Sequence, residues 1–72
     1  MSEKTLKYPH GETVWVDYRD KDGKTLFILT SKESRDAYYL YELVGGSFKK
    51  LGKAKEPPEL EKKFMVRERM RA

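Results

Sequence analysis

The sequence predicts an α+β fold: an antiparallel β-meander of about four strands over residues 13–54, one C-terminal α-helix over residues 58–68, and a frayed tail at 69–72. Three observations carry this. TVWVDY (residues 13–18) and TLFILT (residues 25–30) are rich in β-branched and aromatic residues, and the first alternates with the period of two that a half-buried strand shows. Gly45-Gly46 separates YYLYELV from SFKKLGK, and paired glycines tolerate the positive φ of a primed two-residue hairpin turn. Glu56-Pro57-Pro58 then ends the strand pattern, and proline suits the first turn of a helix.

Taken in order, residues 4–8 are read as a short edge strand ahead of the Pro9-His10-Gly11 turn. The segment RDKDGK between the first two strands fits a three-residue hairpin loop closed by Gly23 in the left-handed conformation. That loop sets Asp20 opposite Lys24, Tyr18 opposite Leu26, Val16 opposite Ile28 and Trp15 opposite Leu29. The polar run SKESRD (residues 31–36) reads as a solvated connection long enough for a helical turn. In the second hairpin the Gly45-Gly46 turn sets Leu43 opposite Phe48, Glu42 opposite Lys49 and Leu40 opposite Leu51. A slip of one residue would lose the Glu–Lys match. In the helix, Leu60, Phe64 and Met65 form a short apolar stripe. Glu59 and Lys63 are spaced for an ion pair, and arginines 67, 69 and 71 fall where the dipole favours cations.

The chain has 72 residues, which makes one domain that buries only about 60% of its unfolded surface. It has no cysteine, so disulfides and thiolate metal sites are excluded. Asparagine and glutamine are missing too, which with abundant Lys and Glu leans towards a thermophilic source. The start MSEKTLKYPHGE has no apolar stretch, and the longest apolar run, LFIL, is far too short to span a bilayer. A soluble cytoplasmic protein is therefore the expectation. The net charge of +4 is uneven. Residues 1–48 hold seven Lys/Arg against eight Asp/Glu, while residues 49–72 hold nine against four. All of the basic excess lies in the last third, where a partner chosen by charge would bind.

Catalysis is disfavoured. There is one histidine and no cysteine, and His10 sits between proline and glycine as an ordinary turn residue. Asp17, Asp20, Asp22 and Gly23 resemble part of a calcium loop. In that register, however, the first and twelfth ligand positions fall on Tyr18 and Leu29, which offer no suitable oxygens. GGSFKKLGKA lacks both the spacing and the final hydroxyl of a phosphate loop. No cofactor, metal, membrane or small-molecule substrate is indicated.

Binding is the remaining class. Val14, Val16, Tyr18, Leu26 and Ile28 read as the core face of the first hairpin, leaving Trp15, Phe27 and Leu29 on the reverse. In the second hairpin Tyr39, Tyr41, Leu43 and Phe48 share one side, and Tyr38, Leu40, Val44 and Leu51 the other. Tyr39 and Tyr41 are expected over the core, and Tyr38 outward. A single helix covers one face only. The other must be hidden by curling into a small half-barrel, by self-association or by a partner. The expected function is thus a non-enzymatic protein-interaction or self-associating module using Trp15, Phe27, Leu29 and Tyr38. Its partner would be another protein or a second copy. The alternative is a weakly sequence-specific nucleic-acid binder. It would use Lys49, Lys50, Lys53, Lys55, Lys62, Lys63 and Arg67 beside outward aromatics.

Overall fold

A computed structural model describes residues 7–71. Four strands, β1 (Glu12–Arg19), β2 (Thr25–Lys32), β3 (Tyr38–Val44) and β4 (Ser47–Ala54), are followed by two short helices, α1 (Pro57–Lys63) and α2 (Val66–Arg71). The strands form one open antiparallel sheet in the order β1-β2-β3-β4. Among the described residues nothing pairs with the outer side of β1 or of β4, and the four strands form an open sheet rather than a closed barrel. Residues 7 and 8 are not in a strand, and the rest of the edge strand expected over 4–8 lies outside the described residues.

Both hairpin turns form for the reasons their sequences give. At Asp20–Gly23 the Gly23 N–H donates to the Asp20 carbonyl at 2.9 Å, with Gly23 at φ 80°. The Asp20 side chain accepts the N–H groups of Asp22 and Lys24, a local bond that short acidic side chains make readily. Gly45 and Gly46 sit at φ 58° and 85°, the two positive values that a primed turn demands. Leu43 and Glu42 then pair with Phe48 and Lys49 as the sequence implies.

Beyond the turns, three bulges shift the register. One between Tyr18 and Arg19 sets Tyr18 opposite Phe27 rather than Leu26, and Val16 opposite Leu29 rather than Ile28. A second, between Val14 and Val16, leaves Trp15 without a direct partner. The third moves Leu40 from Leu51 to Gly52. A bulge places two consecutive residues against one, so the alternation of faces breaks at each. Val14 and Val16, expected on one face, lie on opposite faces. Val14 pairs with Thr30, and Val16 with Leu29.

The helices cover the Phe27–Leu29–Leu40 face, opposite to the one read as core from the sequence. Phe27, Leu29 and Leu40 are buried together with Leu60 of α1 and Val66 of α2, and Tyr18, Tyr38, Leu51 and Phe64 pack around them. Tyr39 and Tyr41 occupy the other face. Gly52 makes the close approach possible, because a Cβ there would stand 2.9 Å from Phe64 Cζ. Glycine inside a strand commonly marks such a contact.

The expected single helix is broken. Pro57 and Pro58 start α1, and Lys62 and Lys63 end it, which suits the orientation of the dipole. Met65 then turns left-handed at φ 52°, and the chain restarts as α2, where fraying was expected. The break lets Val66 fall into the core, while Met65 is 56% exposed rather than part of the apolar stripe. Two polar links bind the layers. Tyr18 Oη donates to Glu61 Oε2 at 2.5 Å, and Glu61 pairs with Arg67 at 3.7 Å. Glu42 pairs with Arg69 at 3.7 Å, so its ionic partner is on α2 rather than at Lys49. Burial first, and the Glu61 hydrogen bond and charge second, push the Tyr18 phenol well above its usual range.

Candidate functional site

The four residues expected to form an outward contact face are divided by the packing. Phe27 and Leu29 are core, covered by the helices, and offer no surface to a partner. Tyr38 is half-buried against the same core. Trp15 alone of the four is exposed, at 45%, and its neighbour Val16 is 39% exposed.

The bulge explains this pair. Trp15 bonds to Ser31, and Val16 is paired with Leu29. Ser31 and Leu29 lie two apart on β2, so both β1 side chains are on the helix-covered side. Yet α1 lies over β3 and β4, and β1 is the far edge. Trp15 and Val16 are therefore beyond the reach of the helices.

The indole is fixed. Its Nε1 donates to Ser31 Oγ at 2.8 Å, and the Ser31 hydroxyl donates onward to the Lys32 carbonyl at 3.0 Å. The Arg35 guanidinium lies 4.7 Å from the ring centroid, a cation–π contact of about 0.5–1 kcal/mol at an exposed site. Arg35 reaches it from the β2–β3 turn, where it adopts φ 58°, and no helical turn forms there. An open depression of about 350 Å³ beside the indole is lined by Lys32, Glu33 and Arg35 among others. It gathers both signs of charge, so it selects strongly for neither anions nor cations.

The helix-free face differs from the bare apolar surface that the sequence implies. Ile28 and Thr30 are fully buried there, and Tyr41 is 7% exposed. The Glu12 carboxylate accepts Thr30 Oγ1 at 2.6 Å and Tyr41 Oη at 3.0 Å from both oxygens. Burial, and then the Glu12 hydrogen bond and charge, push the Tyr41 phenol up to about 12. Lys50 Nζ lies 4.5 Å above the Tyr39 ring centroid and 5.7 Å from that of Tyr41. At the β4 edge Tyr8 packs on Phe48, the rings tilted by 31° with centroids 5.0 Å apart.

The basic residues do not converge. Lys50 pairs with Tyr41 and Lys53 with Tyr39, on the helix-free face, whereas Lys49 pairs with Glu42 on the helix side. Lys55 follows β4, and Lys62, Lys63 and Arg67 belong to the helix layer. Lys63 Nζ sits 5.6 Å from the Phe64 ring centroid. His10 is exposed in its turn. Among the described residues no three His, Cys, Asp or Glu side chains gather as a metal site, and no helix is long and apolar enough to cross a membrane.

Sequence reasoning found Trp15 but missed Val16 beside it, and it missed Arg35 and Ser31 as the groups that orient the indole. A bulge has no compositional mark, and a contact between a turn and a strand is visible only once the register is known. The site belongs to a four-stranded antiparallel meander backed by a broken helix. Comparison of the chain with family models, with curated proteins and with solved structures finds no match.

Proposed function

We propose that this protein is a small non-enzymatic protein-interaction module whose contact surface is the bulge of β1. One observation carries the reading: Trp15 and Val16 are adjacent, exposed and on one side of an edge strand, with the indole already held by Ser31 and Arg35. Tryptophan is the residue most enriched among contacts that dominate binding energy. A side chain ordered beforehand avoids the cost of about 0.5–1.5 kcal/mol for immobilising it on binding.

Trp15→Ala and Val16→Glu test the reading. Both are expected to abolish self-association or partner capture. Val16→Glu should leave the unfolding midpoint nearly unchanged, because surface substitutions usually stay within about 0.5 kcal/mol. Both variants retaining every contact of the wild-type protein would remove the reading.

A second reading keeps the helix-free face as a weakly selective nucleic-acid platform, favoured by Tyr39, Lys50 and Lys53 lying together there. Its affinity should fall steeply with salt and vanish in a Lys50→Ala/Lys53→Ala variant. Affinity indifferent to salt would dismiss it.

A further inference from the structure

We propose that the partner is a second copy of this chain, paired antiparallel along β1 about a twofold axis passing between Trp15 and Val16. This deepens the preceding reading and rests on it. The two four-stranded sheets would then join edge to edge into one.

The first ground is the order of faces along β1. Glu12 and Val14 are on the helix-free side, with Thr30. Thr13, Trp15, Val16 and Tyr18 are on the helix side, with Ser31, Leu29 and Phe27. Asp17 and Arg19 return to the helix-free side, where Asp17 faces Ile28 and accepts from Thr25. Read from either end of Glu12–Arg19, the sequence of sides is the same. Residues directly opposite in an antiparallel pair must point to the same side. An unbroken strand achieves this only about an axis through a residue or with an even offset. The bulge at Trp15 moves the matching axis to the gap between Trp15 and Val16, the midpoint of the strand.

The second ground is what that register brings together. Trp15 of each copy meets Val16 of the other, which covers the two exposed apolar side chains with an aromatic–β-branched pair, a favourable cross-strand combination. Glu12 meets Arg19 of the second copy, and this happens twice. Thr13 meets Tyr18, and Val14 meets Asp17. The Arg19 side chain is 60% exposed while pairing with Asp17 at 3.0 Å, and it has further N–H groups to give. A carboxylate accepts at about four lone-pair positions, so Glu12 keeps capacity beyond Thr30 and Tyr41. The other edge is unsuited to self-pairing. β4 carries Lys49, Lys50 and Lys53, and lysine is a residue that guards edges against pairing.

The test uses the full chain and two charge variants in sedimentation equilibrium. The wild type should rise with concentration from 8.5 kDa to a plateau at twice that mass. Arg19→Glu sets Glu12 against a glutamate, and Glu12→Arg sets Arg19 against an arginine, so each alone should dimerise at least tenfold more weakly. An equimolar mixture of the two restores both complementary pairs and should recover the dimer. Folded variants whose mixture stays monomeric would overturn the proposal. So would a wild-type mass that climbs past the dimer without a plateau, which would mean head-to-tail β1–β4 growth. Glu12→Arg also removes the bonds to Thr30 and Tyr41, so wild-type protein mixed half labelled and half unlabelled supplies an independent check. Intermolecular NOEs should join residue 14 to residue 17, and residue 13 to residue 18; any other set refutes the register. A monomer at all concentrations that still binds a different protein through Trp15 would sink the second-copy proposal while sparing the β1 surface. A monomer with no Trp15-dependent contact would sink both.

Discussion

Replacing Leu60 by alanine asks whether the helices and the sheet are one cooperative unit. Leu60 is fully buried in one cluster with Phe27, Leu29 and Leu40 of the sheet and Val66 of α2. The substitution removes three carbons, worth about 2.4 kcal/mol at about 0.8 kcal/mol per buried methylene. The cavity left behind brings the loss into the range of about 2–5 kcal/mol. A domain of this length typically holds about 4–11 kcal/mol in all, so the variant should lose a large part of its stability. Its midpoint should drop by at least about 10 °C, at about 4–8 °C per kcal/mol for a domain of this size. Urea unfolding followed in parallel by far-ultraviolet circular dichroism and by Trp15 fluorescence distinguishes the mechanisms. Trp15 reports on the bulge of β1, away from the Tyr18–Glu61 link to α1, and the two signals should shift together because the core is shared. A loss below about 1 kcal/mol, or helix melting that leaves the Trp15 signal native, would refute the claim that Leu60 holds both layers in one core.

Two further outcomes follow from the backbone and from the tyrosines. Met65→Gly should stabilise the protein by about 1 kcal/mol, because a left-handed conformation costs an L-residue about 1–2 kcal/mol and glycine is the preferred residue just past a helix end; a lower thermal midpoint would show that the Met65 side chain contributes packing despite its exposure. Stability should also fall in alkali. An unfolded tyrosine loses its proton near pH 10, whereas folded Tyr41 holds it up to about pH 12, so the contribution is complete below pH 10 and is lost as pH rises from there. The slope is up to about 1.4 kcal/mol per pH unit for each such tyrosine, with Tyr18 acting in the same direction. Urea midpoints measured across that window should decline less steeply in Tyr41→Phe, and equal slopes would contradict the account.

Much of the architecture was legible because turns are chemical. Gly23 and Gly45-Gly46 adopt the positive φ that only their sequence permits cheaply, and the proline pair starts a helix at Pro57. The grouping of Tyr39, Tyr41 and Leu43 against Tyr38 and Leu40 also holds, since no bulge interrupts β3 against β2. The choice of core face failed for a definable reason. Val14, Val16 and Tyr18 look like one face only if the strand alternates without interruption, and the bulge at Trp15 breaks it. Gly52 was the overlooked signal. A glycine opposite Leu40, inside an otherwise bulky strand, marks the side from which Phe64 approaches, and therefore the side that the helices cover. The break at Met65 had no such marker, because the left-handed residue there is methionine rather than glycine.

The strict succession β1-β2-β3-β4 also bears on how the chain acquires its shape. Every strand bonds only to the strand next to it in the sequence, so no segment waits for a distant one before pairing. Sequence-local contacts of this kind place a chain at the fast end for sheet-containing domains. Each hairpin carries its own turn and can form independently. The seat for Leu60 and Val66 exists only once Leu29 and Leu40, from different hairpins, stand side by side. Residues 57–71 thus act as the latch on a sheet already laid down.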